Sequence, residues 1–157
     1  MKIYLETTVF SFYHSHRTEP AMAERRNWTR RWFDVCRRRG EDLRTSDAVI
    51  RELSAGQYPG QEDALRLASS VVPLARTAKV VEVSDAMINQ NLMPAGADGD
   101  AIHLAFACVH DCDALITWNC KHIANPNKSR HLAVICGRLA LTPPNIMTPE
   151  QYLIHVP

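Results

Sequence analysis

The chain has 157 residues, of which 46% are hydrophobic and 22% charged, a composition typical of one globular domain with a hydrophobic core. The net charge of +1 is unevenly distributed: residues 17–44 contain nine arginines and five acids, a local charge of +4, and the rest of the chain carries −3. No apolar run approaches the roughly 20 residues of a membrane span, and no secretory signal is visible. We therefore expect a cytoplasmic protein with reduced cysteines and no membrane partner.

Strand-like and helix-like patterns alternate along the chain. The predicted strands are Lys2–Thr8, Leu43–Thr45, Lys79–Val83 and Ala114–Thr117. Predicted helices cover 21–39, a segment capped by Ser46 or Asp47, a region near 61–75, a segment from Ser84, a segment capped by Asp98 that runs to about 110, a region near 128–138 and a short segment from Thr148. Loops are expected at 57–60 and 94–97. This alternation predicts a three-layer α/β/α sandwich with a mainly parallel sheet, in a single domain over 1–157.

The helix predicted at 21–39 has an apolar stripe and an arginine-rich surface. Trp28 and Trp32 lie on the stripe, which favours a place in the core or in a dimer interface over a role in base stacking. The arginines allow two interpretations. They form a surface that binds RNA phosphates, or they offset Glu24 and Asp34 on a solvated face.

Three acids, far apart in sequence, each follow or interrupt an apolar segment. Glu6 follows the first strand, Glu52 lies in the segment after the second, and Asp100 is near the start of an almost wholly apolar helix. Asn119 follows the strand at 114–117. Parallel strands deliver their carboxyl ends to one edge of a sheet, so we expect these side chains to meet there. Gathered carboxylates require a neutralising cation, and their hard oxygen atoms suit Mg²⁺ or Mn²⁺.

The same segments give the chain a resemblance to the PIN domain family. Each motif alone is weak, but together they occur in order over nearly the whole chain. The matching segments are Met1–Val9, Ser46–Leu53, Asp100–Ala105, Thr117–Asn119 and Pro144–Glu150.

The resemblance implies an Mg²⁺- or Mn²⁺-dependent endoribonuclease, similar to the VapC-like toxins that an antitoxin protein holds and that often form homodimers. In that reading Glu6, Glu52 and Asp100 hold the metal, Asn119 completes the pocket, and Thr117 with Thr7 orients water or a carboxylate. Asn119 stands where many active members carry Asp, which lowers the negative charge. The alternative is a PIN-like module that binds RNA or protein with little or no cleavage.

A zinc site is a second possible centre, because Cys and His residues occur close together in one segment. They are Cys108, His110, Cys112, Cys120 and His122. Their positions at a helix end and after a strand favour buried cysteines and surface histidines over zinc ligands.

Several basic residues lie near the expected pocket. His103 follows Asp100 by one turn and can reach a phosphate or metal-bound water, although we expect a half-buried histidine bonded to a backbone carbonyl. His14, His16 and Arg17 follow the first strand and are candidate RNA contacts. The chain lacks the glycine-rich motifs of Rossmann enzymes and P-loop NTPases and the GxSxG of serine hydrolases. A phosphatase is disfavoured because Glu6 stands where a nucleophilic Asp is needed.

Overall fold

The computed structural model describes residues 1–93 and 98–157. For Asp98 it describes the backbone only. Over these ranges the chain forms five strands and eight α-helices. The strands are β1 (Lys2–Leu5), β2 (Asp42–Thr45), β3 (Val72–Pro73), β4 (Ala114–Ile116) and β5 (Asn145–Met147). The helices are α1 (Thr7–Tyr13), α2 (Pro20–Arg39), α3 (Asp47–Ser54), α4 (Gln61–Ser69), α5 (Ala78–Asn89), α6 (Asp98–Val109), α7 (Ser129–Arg138) and α8 (Pro149–His155).

All five strands of the described chain pair in parallel, in the order β3-β2-β1-β4-β5. The central strand β1 pairs with β2 on one side and with β4 on the other. From β1 the chain first builds the sheet outward through β2 and β3, and later through β4 and β5 on the opposite side. The carboxyl ends of β1 and β4 therefore flank the point where the strand order reverses, which is the usual ligand position in open parallel sheets.

The two faces of the sheet carry separate hydrophobic cores, which confirms the predicted three-layer sandwich. Ile3 and Leu5 of β1 pack into one core with side chains of α1, α2, α3, α4 and α8. Tyr4 points to the opposite face, where α5, α6 and α7 contribute the second core. This alternation follows from the two-residue period of a strand.

Several predicted boundaries were wrong. The predicted strand Lys79–Val83 and the helix predicted from Ser84 are one helix, α5, whose first turn Thr77 caps by accepting a hydrogen bond from the backbone N–H of Val80. The first strand ends at Leu5 rather than Thr8, because α1 begins at once.

Two short edge strands were also not predicted. The helix predicted to reach residue 75 ends at Ser69, and β3 follows it. Strand β5 lies in a proline-punctuated tail for which no strand was predicted. Helix α6 begins at Asp98, the predicted cap, and the predicted break at 94–97 lies outside the described residues.

The arginines of helix α2 mainly contact neighbouring aromatic rings and backbone carbonyls. The Arg25 guanidinium lies over the rings of Phe12 and Trp118, 5.5 and 5.2 Å from their centroids. Arg30 donates to the Tyr13 carbonyl. Among the arginines of α2, within the described ranges, only Arg37 has a carboxylate within 4.0 Å. Their positive charge is therefore largely left unpaired by acids.

The helices were compared with the requirements of a membrane span. None of those in the described part of the chain combines the length and apolar character that a span requires.

Candidate acidic site at the carboxyl edge of the sheet

The predicted acids come to the edge where β1 and β4 end. Glu6 follows β1 directly, and Thr117 follows β4. Glu52 reaches the same edge from α3, and Asp100 from the first turn of α6. The expected convergence of distant segments is therefore present in the structure.

Glu6 is buried at the junction between β1 and α1, with 3% of its surface exposed. Its Oε2 accepts hydrogen bonds from the backbone N–H of Thr8 at 3.0 Å, from the Thr8 hydroxyl, and from the Thr117 hydroxyl at 2.8 Å. Burial raises the pKa of Glu6, although the charge of His103 and these hydrogen bonds act in the opposite direction. The side chain thus caps α1 and is fixed in position by its neighbours.

Glu52 is the more accessible of the two glutamates, with 35% of its side chain exposed. Its Oε2 accepts from the Thr7 hydroxyl, and its Oε1 lies 2.9 Å from Nε2 of His103. Burial alone would raise the pKa of Glu52, but the hydrogen bond and charge of His103 and the hydrogen bond from Thr7 lower it. Glu52 is therefore an ionised carboxylate with a defined orientation.

Gly99 restricts Glu52 from the side of α6. A Cβ atom at Gly99 would lie 2.2 Å from Oε1 of Glu52 and 3.2 Å from its carboxyl carbon. Glycine here allows the close approach of α6 to the carboxylate, and a larger residue would displace the end of the Glu52 side chain.

His103 is fully buried and has side-chain partners on both ring nitrogens, contrary to the expected half-buried residue on a backbone carbonyl. Nδ1 lies 2.7 Å from the Tyr4 hydroxyl, which in turn lies 2.7 Å from Oγ of Ser46. Nε2 contacts Glu52. Burial disfavours the charged ring, yet the hydrogen bond to Glu52 and the charges of Glu6, Glu52 and Asp100 raise the pKa of His103. A buried hydrogen-bonded chain therefore links the end of β2 to the acidic site.

Asp100 and Asn119 form a pair beside these residues. The Asn119 amide donates to Oδ1 of Asp100 at 2.9 Å, and its side-chain oxygen accepts from the backbone N–H of His122 at 3.1 Å. Burial raises the pKa of Asp100, and the charge of Glu52 adds to the rise, whereas His122, His103 and Lys128 counteract it. Both polar ends of the Asn119 side chain are thus engaged.

The two predicted threonines both contact a carboxylate. Thr7 donates to Glu52 and Thr117 donates to Glu6. Thr117 also accepts from the backbone N–H of Asn119 at 2.9 Å, so that it connects Glu6 to the Asp100–Asn119 pair. This matches the orienting contacts expected of these hydroxyls.

The tightest group of potential metal ligands in the described chain is Glu6, Glu52 and His103, whose ligand atoms lie within 4.8 Å of one another. Asp100 is not part of this group. It lies close enough for the charges of Glu52 and His103 to shift its pKa. The pattern of acids in the sequence did not assign His103 to the group. Its position one turn after Asp100 was the available signal.

These donors fit a divalent cation. In octahedral coordination at about 2.1 Å, adjacent ligands lie about 3.0 Å apart and opposite ligands about 4.2 Å, so the three side chains would have to close in around a bound ion. Carboxylate oxygens suit Mg²⁺ and Mn²⁺, whereas an imidazole is a more typical ligand of zinc and iron. As a ligand, His103 would have to be neutral, against the direction of its pKa shift, and would give up its hydrogen bond to Glu52 while keeping the one to Tyr4.

The cysteine and histidine residues weighed as zinc ligands do not form a comparable group in the described ranges. Cys108 and Cys112 are buried, Cys120 is exposed, and His110 lies 2.8 Å from the carbonyl oxygen of Ala75. Burial raises the pKa of the Cys112 thiol to about 11, which disfavours the thiolate that zinc binds. Cys108 and Cys112 are therefore buried as expected, whereas Cys120 is not.

Comparison of the chain with protein-family models gave no match, and comparison with curated proteins gave none either. The chemistry of the site is therefore argued from its own residues.

Proposed function

We propose that the protein is a PIN-like endoribonuclease that uses Mg²⁺ or Mn²⁺ to hydrolyse RNA phosphodiester bonds. The observation that carries the proposal is the convergence of Glu6 and Glu52 with His103 at the strand-order reversal, beside Asp100. Structural ion pairs occur at many surfaces, but two glutamates and a buried histidine with mutually oriented donors are typical of functional sites.

Glu6, Glu52 and Asp100 would hold the cation, with His103 as a further donor. The cation would polarise the phosphoryl group and lower the pKa of the attacking water. The chain's own contribution is orientation: Thr117 fixes one oxygen of Glu6, and Thr7 and His103 fix Glu52. Fixed ligands reduce the reorganisation needed when substrate binds.

Further properties rest on the resemblance alone. They are control by an antitoxin protein, a homodimer and a cytoplasmic location. Co-purification with the product of a small neighbouring gene would support the first, and light scattering of the purified protein measures the second.

The second candidate function is a binding module with the same fold and little catalysis. Asn119 favours it, because an amide replaces a carboxylate and its two polar ends already bond Asp100 and the His122 backbone. Asn119→Asp removes the donor to Asp100 and adds a like charge. We expect lower stability without metal and tighter Mn²⁺ binding. Unchanged Mn²⁺ affinity would argue against a metal role for this position.

The decisive experiment is cleavage of a mixed RNA pool with Mn²⁺ or Mg²⁺. EDTA and Asp100→Asn should each abolish cleavage, because the first removes the cation and the second a ligand charge. Glu62→Gln is the matched control, since Glu62 is an exposed acid that pairs with Arg66 on α4. If the folded protein binds RNA but does not cleave it, the binding module becomes the better account.

A further inference from the structure

A second concave surface adjoins the acidic site on the side of α1. It encloses about 650 Å³ between the carboxyl end of α1, the loop that leads to α2 and the loop before α4. Phe12 and Tyr58 supply its aromatic surface, Thr8 and Ser11 its hydroxyl groups, and His16 and Arg17 its basic rim. We call it the α1 groove.

The α1 groove is continuous with the acidic site through one residue. Thr8 lines the groove, and its hydroxyl donates to Glu6 and accepts from the backbone N–H of Trp118 at 2.8 Å. A chain that occupies the groove would therefore lead directly to the carboxylates.

The walls of the groove are held in place by backbone contacts. The Tyr58 hydroxyl donates to the Leu53 carbonyl at 2.9 Å, which anchors its ring while leaving 36% of the residue exposed. Gly60 has φ +84°, and a Cβ there would lie 2.5 Å from the His14 carbonyl oxygen, so the two loops meet backbone to backbone. Arg26 donates to the carbonyls of Ser15 and Arg17 and fixes the opposite loop.

The charge of the rim suits an anion. Arg17 is exposed, and within the described ranges it has no carboxylate within 4.0 Å. Arg25 does not line the groove, but its guanidinium lies behind it, over the Phe12 ring. Glu19 is the acid that also lines the groove. A basic group beside an exposed aromatic ring, here Arg17 and Tyr58, is the combination with which proteins bind single-stranded nucleic acids.

We propose, on the basis of the proposed function, that the α1 groove binds the single-stranded RNA segment adjacent to the scissile phosphate. Tyr58 stacks on a base and Arg17 contacts a phosphate, while Phe12 closes the opposite wall. A duplex keeps its base faces stacked and cannot offer them to Tyr58, so the groove selects unpaired strands.

The test is binding of a short fluorescent single-stranded RNA, measured by anisotropy in EDTA so that no cleavage occurs. Tyr58→Leu should weaken binding at least five-fold, because it removes the stacking ring. Tyr58→Phe should weaken binding less than Tyr58→Leu, because it keeps the stacking ring and loses only the hydrogen bond to Leu53 that anchors it. Arg17→Gln should weaken binding and reduce the salt dependence by about 0.7 in the logarithmic slope. Arg138→Gln is the arginine control and should bind like wild type, because Arg138 is exposed at the end of α7, on the other face of the sheet.

Equal weakening by Tyr58→Phe and Tyr58→Leu would overturn the stacking role, since the tyrosine would then act only as a loop anchor. Wild-type binding by both Tyr58→Leu and Arg17→Gln, or equal competition by a duplex, would overturn the groove as the RNA site. Because the assay contains no metal, groove-dependent binding without cleavage in Mn²⁺ would refute the nuclease and leave the α1 groove as a surface that binds single-stranded RNA.

Discussion

Gly99→Ala tests whether the position of the Glu52 carboxylate matters. The new Cβ would lie 2.2 Å from Oε1, whereas ordinary contacts begin at 3.4 Å, so the carboxylate must retreat by about 1.2 Å. A shift of this size disrupts the 2.9 Å hydrogen bond to His103. If the protein is a nuclease, a misplacement of about 1 Å should reduce cleavage on the order of 100-fold.

Gly137→Ala is the matched control, because Gly137 is also helical and a Cβ there meets nothing within 4 Å. It should raise the free energy of unfolding by up to about 1 kcal/mol, through the lower chain entropy of alanine in the unfolded state. Gly99→Ala loses a hydrogen bond between charged groups. Hydrogen bonds to charged groups contribute about 1.5–3 kcal/mol, and the Glu52 side chain is 35% exposed. We therefore expect the free energy of unfolding of Gly99→Ala to be about 1.5 kcal/mol lower than that of Gly137→Ala.

The assay is urea unfolding of both variants, paired with RNA cleavage in Mn²⁺. Equal unfolding midpoints for the two variants, together with wild-type cleavage by Gly99→Ala, would contradict this prediction. That result would mean that Glu52 can move freely and that its contact with His103 contributes nothing.

Two further predictions concern the structure around the site. Tyr4→Phe leaves buried Ser46 and His103 without the hydroxyl that joins them. It should lower the free energy of unfolding by about 1–3 kcal/mol, measured with urea. An unchanged unfolding midpoint would contradict this. Arg76 lowers the pKa of Asp47, so their ion pair stabilises the fold above about pH 4 and is lost as the pH falls through the folded-state pKa. Asp47→Asn should therefore lower the free energy of unfolding at pH 7 by less than about 1 kcal/mol, since the pair is partly exposed, and the difference from wild type should narrow toward pH 3. The same difference in the free energy of unfolding at pH 7 and pH 3 would argue against a stabilising role of the Asp47–Arg76 ion pair.

Much of the fold follows from local patterns that tertiary contacts then reinforce. The apolar strands β1 and β4 are predictable because both faces of a central parallel strand are buried. The strand predicted at Lys79–Val83 is helical, because the β propensity of valine is weaker than the packing that places one face of this segment in the core. In the structure Val80, Val83 and Met87 are buried at helical spacing, and Thr77 caps the helix.

The edge strands could not be recognised from sequence because they are short and contain or follow proline. Strand β3 is the dipeptide Val72–Pro73, and β5 has three residues after Pro143 and Pro144. Such strands exist because a neighbouring strand offers hydrogen bonds, and that is not a property of their own sequence.

For the site, the order of acids along the chain predicted that Glu6, Glu52 and Asp100 reach one edge. It did not predict that His103 would contact Glu52 or that Asn119 would bond to Asp100. Those pairings depend on the approach of α6 to α3 and β4, which the local sequence does not encode. The close contact between Gly99 and the Glu52 carboxylate likewise cannot be predicted from the local sequence, because the two residues lie on different helices.

Calorimetric titration of the purified protein with Mn²⁺ tests the central claim that the acidic site binds a divalent cation. We predict saturable binding to wild type and to Glu62→Gln, and strongly weakened binding to Glu52→Gln, which removes one ligand charge while retaining the side chain's size. Absence of saturable binding to wild type, or equal binding by all three proteins, would contradict the account.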